Sequence, residues 1–374
     1  MNTALKRHTI LHTIEGSGPG GAETVVLELA SRIDPGRYRS LVFLPKGKWL
    51  PQQLQARGVS CVIYESTTWY SLIRNMMNLV KSEGVDLIHS HLDDQNFASS
   101  VAGWLTGRKT IVTYHGAPRL ARQQGLRRKI KAWVPQRFAA GTVVVSDYLR
   151  ALLVERGFPP ARTHRIYNGV DLDRFVPARE SRLRAELGLD RGTRLVGMVA
   201  NVRRSKGHEY FIRAARKIGE CVPEARFLAV GEVDERLGAP LRELISELEL
   251  QDRFLFLGFR SDVPAILGEL DVFVLASTDE GLSIATLEAM AAGRPVVVTR
   301  SGGPQELVTN GETGYLVPPA DPDALAARVC EILRDPELAA GLGSKARAEV
   351  ASRFSLQRMV EQYESLYERC LTAT

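Results

Sequence analysis

Residues 279–298 read DEGLSIATLEAMAAGRPVVV, and this run holds a loop, a helix, a helix stop and a strand in succession. Ser283 is a natural N-cap for the helix. Gly293 ends it, and Pro295 leads into three consecutive valines, a buried strand. A helix that feeds directly into a continuously apolar strand is the repeating unit of an α/β sheet covered on both faces. Glu280 and Glu288 have seven residues between them. Glu280 precedes the helix, and Glu288 lies about one and a half turns inside it. Glu288 interrupts an apolar run formed by Ala285, Leu287, Ala289, Met290, Ala291 and Ala292. An exposed helix glutamate is the plain reading, but a charge in such surroundings is costly without a partner. The first N–H groups of a helix have no intrahelical acceptor and can face an anion. The stretch therefore suits a ligand with an anionic part and hydroxyl groups.

The same alternation continues on both sides. In the C-terminal half, strand candidates fall at 195–200, 226–230, 254–257, 272–276, 295–299 and 314–317. Helices are expected at 208–220, 240–249, 263–267, 283–292 and 322–333. The N-terminal half has strands at 8–13, 40–44, 60–64, 86–89, 110–114 and 142–145, with helical stretches between them. The first of these runs into EGSGPGGAE, residues 15–23, and then into a helix with Val25, Val26, Leu29 and Ala30 on its apolar positions. Strand, glycine loop and helix is the phosphate-approach arrangement of open α/β sheets, although the dinucleotide spacing is absent and a plain tight turn also fits. A short strand from Arg165 ends in a turn at Asn168-Gly169. Two Rossmann-like α/β domains follow, 1–176 and 177–355, with a linker at 177–190 and a ligand cleft between the domains. Amphipathic helices are expected at 336–352 and 356–370, and the segment 356–374 is expected to pack back on the first domain.

A chain of 374 residues is too long for one core and fits two domains. Hydrophobic residues at 44% and charged residues at 25% describe an ordinary globular chain. No run of about 18 apolar residues is present, and the N-terminus lacks the apolar length and cleavage site of a signal peptide. Cys61, Cys221, Cys330 and Cys370 are far apart, in no metal or redox spacing. A reducing, cytoplasmic location is expected.

The net charge of +6 divides into +11 over residues 1–175 and −5 over the rest. The N-terminal half is therefore expected to meet something anionic. Residues 119–137, RLARQQGLRRKIKAWVPQR, hold seven basic residues and no acidic one. A solvated helix face explains the run. So does an interfacial helix in which Arg127, Arg128, Lys129, Lys131 and Trp133 touch anionic lipid headgroups, with the protein peripheral at the inner face of a membrane. No nucleic-acid motif accompanies the run, and nucleic acid is not an expected partner.

His89, His91 and His115 are read at the carboxyl ends of their strands, where ligands of such sheets bind. His115, in Thr-Tyr-His-Gly, is the best candidate among them, set against a hydrogen-bonded structural histidine. His89 and His91, with no Asp-x-Asp sequence beside them, are weak as metal ligands, so no metal is expected.

In this order GPGGAE, TYHG, VVVSDYL, IYNGVDLDRF, KGHEYFIRA, FLGFRSDVPAIL, EGLSIATLEAMAAGRPVVV and SGGPQELV resemble the retaining glycosyltransferases of the GT-B fold in family 4. The likeness covers almost the whole chain, and its most specific part is the Glu280/Glu288 pair, similar to the family's E-x7-E signature. It implies a retaining hexosyltransferase that moves a sugar from a nucleoside-diphosphate sugar to an acceptor, such as a lipid-linked or cell-envelope glycan in polysaccharide biosynthesis. No cofactor or metal would be needed. His115, Glu280 and Lys206 would be catalytic. Glu280 would hold hydroxyls of the donor sugar and Glu288 those of the ribose, while the N–H groups of Ser283, Ile284 and Ala285 receive the diphosphate. Lys206 matches the family's phosphate lysine. The arginine often found five residues before it is Asn201 here, and Arg203, or else Arg204, would supply the charge. Gly20 and Gly21 would let the first loop approach the phosphates, with His115 near the sugar. Gly231, Glu232, Phe259 and Val263 fall where base and ribose usually lie. Transfer would occur on one face of the sugar, the departing phosphate oxygen helping to take the acceptor's proton. A nucleotide-sugar epimerase of the same fold and a non-catalytic nucleotide-sugar binding protein are the alternatives.

Overall fold

The apolar runs pair in parallel, in two sheets, among the residues described by the computed structural model, 7–66, 68–117, 126–175 and 182–372. The first sheet contains β1 His8–Ile14, β2 Tyr38–Pro45, β3 Ser60–Tyr64, β4 Leu87–His91, β5 Lys109–Tyr114, β6 Gly141–Val144 and β7 Thr163–Arg165, in the order β3-β2-β1-β4-β5-β6-β7. The second contains β8 Arg194–Val199, β9 Ala225–Val230, β10 Phe254–Gly258, β11 Val272–Leu275, β12 Val296–Thr299 and β13 Tyr315–Val317, in the order β10-β9-β8-β11-β12-β13. Strand order reverses between β1 and β4 in one sheet and between β8 and β11 in the other. These are the switch points at which open α/β sheets bind ligands, outside the carboxyl ends of the strands.

Helices on both faces explain why the strands are continuously apolar. In the first sheet Leu11, Leu41, Phe43 and Ile88 pack with Met76 and Ala98 of the helices Trp69–Ser82 and Asp93–Thr106. Ile14, Val42 and Leu44 pack with the helices Gly21–Arg32 and Trp49–Ala56. The core of the second unit is aromatic at its centre: Phe211 and Phe254 have ring centroids 5.2 Å apart, and Phe227 lies 6.2 Å from each.

Contacts divide the chain into the residues up to Asn168 together with those from Gln357 onward, and Gly169–Leu356. The first boundary therefore precedes the expected 176/177. Its cause is local to the second unit. The Val170 N–H donates to Phe354 O at 3.0 Å, the Leu356 N–H donates to Val170 O at 3.0 Å, and Arg347 Nη1 donates to the carbonyl of buried Phe175 at 2.9 Å. Residues 176–181 of the expected linker lie outside the described residues. Beyond them the short helix Arg182–Glu186 is capped by Glu269, whose carboxylate accepts the Leu183 and Arg184 N–H groups. The last helix, Leu356–Thr372, groups with the first unit from Gln357 and buries Tyr363 and Tyr367 there.

Of the element boundaries that differ from the sequence reading, two have a clear local cause. The helix expected from Pro240 starts at Glu235, where Asp234 accepts the Arg236 N–H at 2.9 Å, so the cap outweighs the proline signal and Pro240 lies inside. β4 runs to His91, paired with Thr113 of β5. His89 is therefore mid-strand and fully buried, not at a strand end.

Candidate active site

Lys206 follows β8 and Glu280 follows β11, so both stand at the switch point of the second sheet. Lys206 ends a short 3-10 turn, Arg204–Lys206, which is closed by Gly207 at φ 69°. A Cβ at Gly207 would stand 2.0 Å from Ala276 O, and the Thr278 N–H donates to Ser205 O at 2.8 Å. The loop after β8 is thus fastened to the loop after β11. Across that fastening Lys206 Nζ donates to Glu280 Oε2, which also accepts from Ser277 Oγ at 3.3 Å.

The backbone of Glu280 is fixed from a third strand end. Its N–H donates to Ser301 O at 2.8 Å, and its carbonyl accepts the Gly303 N–H at 3.0 Å. Gly303 packs so closely that a Cβ there would lie 1.8 Å from Gly281 O, a backbone atom that cannot swing away. Gly303→Ala is therefore expected to destabilise the protein by about 3 kcal/mol and to displace Glu280. Thermal denaturation checks the first effect and loss of transfer activity the second.

The helix Ile284–Ala291 follows, with Ser283 as its N-cap, accepting the Thr286 N–H at 3.2 Å. The Ser283 hydroxyl is thereby committed to the cap. Ile284 and Ala285 supply the first N–H groups of the helix, which have no acceptor within it. Ile284, Ala285 and Glu288 are partly exposed, whereas Leu287, Ala289, Met290 and Ala291 are buried. The spacing of these three places them on one open stripe of the helix.

Arg203 and Arg204 are both exposed beside Lys206. Asn201, where an arginine was expected, accepts the Glu232 N–H at 2.9 Å and so joins the ends of β8 and β9. The Gly231 N–H donates to Gly258 O at 2.9 Å, and Glu232 and Phe259 are exposed after β9 and β10. Val263 is partly buried at the start of the helix Val263–Glu269. The second-unit residues singled out in the sequence thus come from strand ends or from the helix starts that follow them. The sequence reading missed Ser277 and the Ser301–Gly303 turn. The latter lies in SGGPQELV, a motif quoted without a role.

In the first unit Gly20 caps and Gly21 begins the helix Gly21–Arg32. Glu23 folds back beneath them: a Cβ on Gly20 would meet its Oε2 at 2.4 Å, and one on Gly16 its Oε1 at 1.8 Å. A carboxylate therefore already lies at this helix start. His115 follows β5 and is partly exposed, but its Nδ1 is buried and has no partner among the described residues. Its Nε2 lies 3.0 Å from His91 Nδ1. Burial holds the His115 imidazole down to about 4. His89 is engaged at both nitrogens, with Tyr367 Oη at 2.5 Å and Thr113 Oγ1 at 2.8 Å.

His12 of β1 joins these histidines because it pairs in register with His89, a juxtaposition that sequence spacing cannot reveal. His12, His89 and His91 each bring a ligand nitrogen within 4.8 Å of the others. Such nitrogens suit a divalent transition metal, but His89 joins them only by giving up Tyr367 or Thr113. No carboxylate belongs to the group. The chemistry present is that of a buried layer of neutral imidazoles.

The basic run forms the helix Leu126–Phe138. The side chains of Arg127 and Arg128 lie outside the described residues. Lys129 and Trp133 are exposed. Lys131 is committed elsewhere: it pairs with Asp94 and sits 4.2 Å from the centre of the Trp69 ring.

Comparison with known proteins fits this construction. Residues 19–174 match the family described as Glycosyltransferase Family 4, and residues 180–349 match Glycosyl transferases group 1. The Escherichia coli UDP-Gal:alpha-D-GlcNAc-diphosphoundecaprenol alpha-1,3-galactosyltransferase is 30% identical over 79% of this chain and 80% of its own length. The Bacillus anthracis N-acetyl-alpha-D-glucosaminyl L-malate synthase is 28% identical over 79% of this chain and 78% of its own. The crystal structure of Anabaena HepE in complex with UDP and glucose superposes with a TM-score of 0.88, at 24% identity, over 97% of this chain and 100% of that one. With both halves matched and a relative of this identity aligned over most of both lengths, the chain belongs to the family 4 glycosyltransferases and has their GT-B fold.

Proposed function

We propose that this protein transfers a sugar from a uridine-diphosphate sugar to a lipid-linked or cell-envelope glycan, with retention of configuration and without a metal ion. The observation that carries this reading is the Lys206–Glu280 pair beside an open helix start at the switch point of the second sheet. A nucleoside-diphosphate sugar offers complementary groups: sugar hydroxyls for Glu280, phosphates for Lys206 and the N–H groups of Ile284 and Ala285, ribose hydroxyls for Glu288. Uridine is favoured because HepE was solved with UDP and the E. coli relative is named for UDP-Gal. The relatives' names give different acceptors, so the acceptor is inferred from charge. The basic N-terminal half favours an anionic one at the cytoplasmic face of a membrane.

As the glycosidic bond breaks, the leaving diphosphate gains negative charge. Lys206 and the helix start are placed to stabilise that charge, with Arg203 or Arg204 as a second cation. The acceptor oxygen enters on the face the diphosphate leaves, and a departing phosphate oxygen takes its proton. His115 is assigned a hydrogen bond to a sugar hydroxyl.

Calorimetry with UDP and a panel of UDP-sugars, in the presence of EDTA, tests the donor. The expected result is saturable binding that, at 100 times the dissociation constant, adds about 2.7 kcal/mol of stability. NMR of the sugar first released to water then tests the stereochemistry, with the donor's anomeric configuration expected. Inverted product rejects retention. A requirement for added divalent ion rejects metal independence. Isomerised donor, formed with no acceptor, supports the epimerase instead.

A further inference from the structure

The helices Asp93–Thr106 and Leu126–Phe138 pack together in the first unit and leave an aromatic surface uncovered. Trp104 is 61% exposed, Leu105 51%, Ile130 45% and Trp133 54%. Trp104 and Trp133 belong to one patch, because both lie against the ring of Phe138, at centroid distances of 5.1 and 5.7 Å. Ile130 precedes Trp133 by three residues on the same helix face. Two tryptophans, each more than half exposed, are costly to leave in water.

The sequence that carries the patch is basic, and the one acidic neighbour on these helices with a described pair, Asp94, is taken up by Lys131. Residues 95–146 hold nine Lys and Arg and no Asp or Glu. Arg108 is exposed just past Leu105, Lys129 is exposed beside Ile130, and the Arg137 guanidinium lies 5.7 Å from the centre of the Phe138 ring. This combination narrows the occupant. A symmetric dimer would place the patch against itself and set like charges face to face, which is repulsive. An anionic bilayer surface receives both parts: basic groups at its phosphates, and indole rings at the boundary between headgroups and acyl chains.

We propose that Trp104, Leu105, Ile130 and Trp133 form a membrane-docking face for anionic lipid, seated in the interface by the two tryptophans and attracted by the surrounding Arg and Lys. Lys131 is not among the attracting groups, since Asp94 and Trp69 hold it. The inference extends the reading of a membrane-borne acceptor, and its test needs neither donor nor acceptor.

Sedimentation of the full chain with phosphatidylcholine vesicles, with and without phosphatidylglycerol, is the experiment. Binding is expected only to the anionic vesicles. It is expected to weaken from about 0.1 M to about 1 M salt, as the screening length falls from about 10 Å to about 3 Å. Trp104→Ala with Trp133→Ala is expected to lower partition at least about tenfold. The milder pair Trp104→Phe and Trp133→Phe guards against misfolding. It is expected to keep most of the binding but to lose the lipid-induced blue shift of tryptophan fluorescence. Equal partition of wild type and the alanine pair, or no binding of wild type to anionic vesicles, overturns the proposal. So does a wild-type dimer that the alanine pair converts to monomer, which identifies a second copy as the occupant. UDP calorimetry on the same samples separates this outcome from any failure of the donor assignment.

Discussion

Glu280→Ala is expected to lower the transfer rate by about 10²- to 10³-fold while leaving UDP affinity unchanged or higher. The asymmetry follows from the pairing of Glu280 with Lys206. Without ligand, the carboxylate neutralises the cation that the proposed function assigns to the diphosphate. Removing it frees the Lys206 charge for the phosphates, but it also removes the acceptor proposed to orient the sugar. Binding of the nucleotide and transfer of the sugar then move in opposite directions. Lys206→Ala should do the reverse to binding: UDP affinity falls, and transfer falls with it because the leaving diphosphate loses its cation. Ser277→Ala removes only the 3.3 Å hydrogen bond to the carboxylate and should cost far less than either. The three variants, compared by UDP calorimetry and by donor turnover, give a pattern that a purely structural ion pair does not. If Glu280→Ala turned over donor at the wild-type rate, the site assignment would be wrong. If it lost UDP binding as severely as Lys206→Ala, the division of labour between sugar and phosphate would be wrong.

Much of this site was legible because its parts lie within short runs of sequence. Glu280, Ser283 and Glu288 sit in one loop and helix, and the cap, the open stripe and the buried face all follow from helical spacing. Lys206 required more: its motif suggested a phosphate contact, but its pairing with Glu280 depends on β8 and β11 lying side by side, which no local pattern states. The clamp on Glu280 was hidden for the same reason. Ser301 and Gly303 follow a third strand, and their role is a backbone approach that becomes visible only when a Cβ is imagined at Gly303. In the first unit the alternation of strands was readable, but the register was not. His12 and His89 are far apart in the chain and paired in the sheet. Thus His89, which the sequence puts at a strand end, is a buried bridge between Tyr367 and Thr113. Contacts put the first boundary ahead of the expected 176/177 for a related reason: Val170 and Phe175 are bonded into the second unit. Lys131 shows that a basic run read as one surface can hide a residue withdrawn from it.

The buried imidazole layer makes the first unit acid-sensitive in a defined window. Burial lowers His12 from 6.5 to about 3. Burial lowers His89 and His91 as well, with charge on neighbouring histidines adding to the effect. The unfolded chain takes up these protons near pH 6.5 and the folded chain far below it. Between those values the unfolded state holds more protons, so stability is full above pH 6.5 and declines as pH falls towards about 3 for His12. At about pH 5 His12 alone costs about 2 kcal/mol, and His89, His91 and His115 act in the same direction. Buried Glu28 does not obscure the window. Burial would raise Glu28, but Arg57 and Arg32 hold it below 4.5, so its contribution is lost only at lower pH. The second unit has one comparable group, His208, held down to about 4 chiefly by burial. The first unit should therefore unfold first in acid. All four tryptophans, Trp49, Trp69, Trp104 and Trp133, belong to it, so fluorescence reports on it selectively. Urea midpoints followed by tryptophan fluorescence should fall steeply from about pH 7.5 to about pH 5. His12→Leu should flatten that dependence by about one proton, or about 1.4 kcal/mol per pH unit. A midpoint that stays constant over this range, or a slope that His12→Leu leaves unchanged, would show that the buried imidazoles are not what acid protonates.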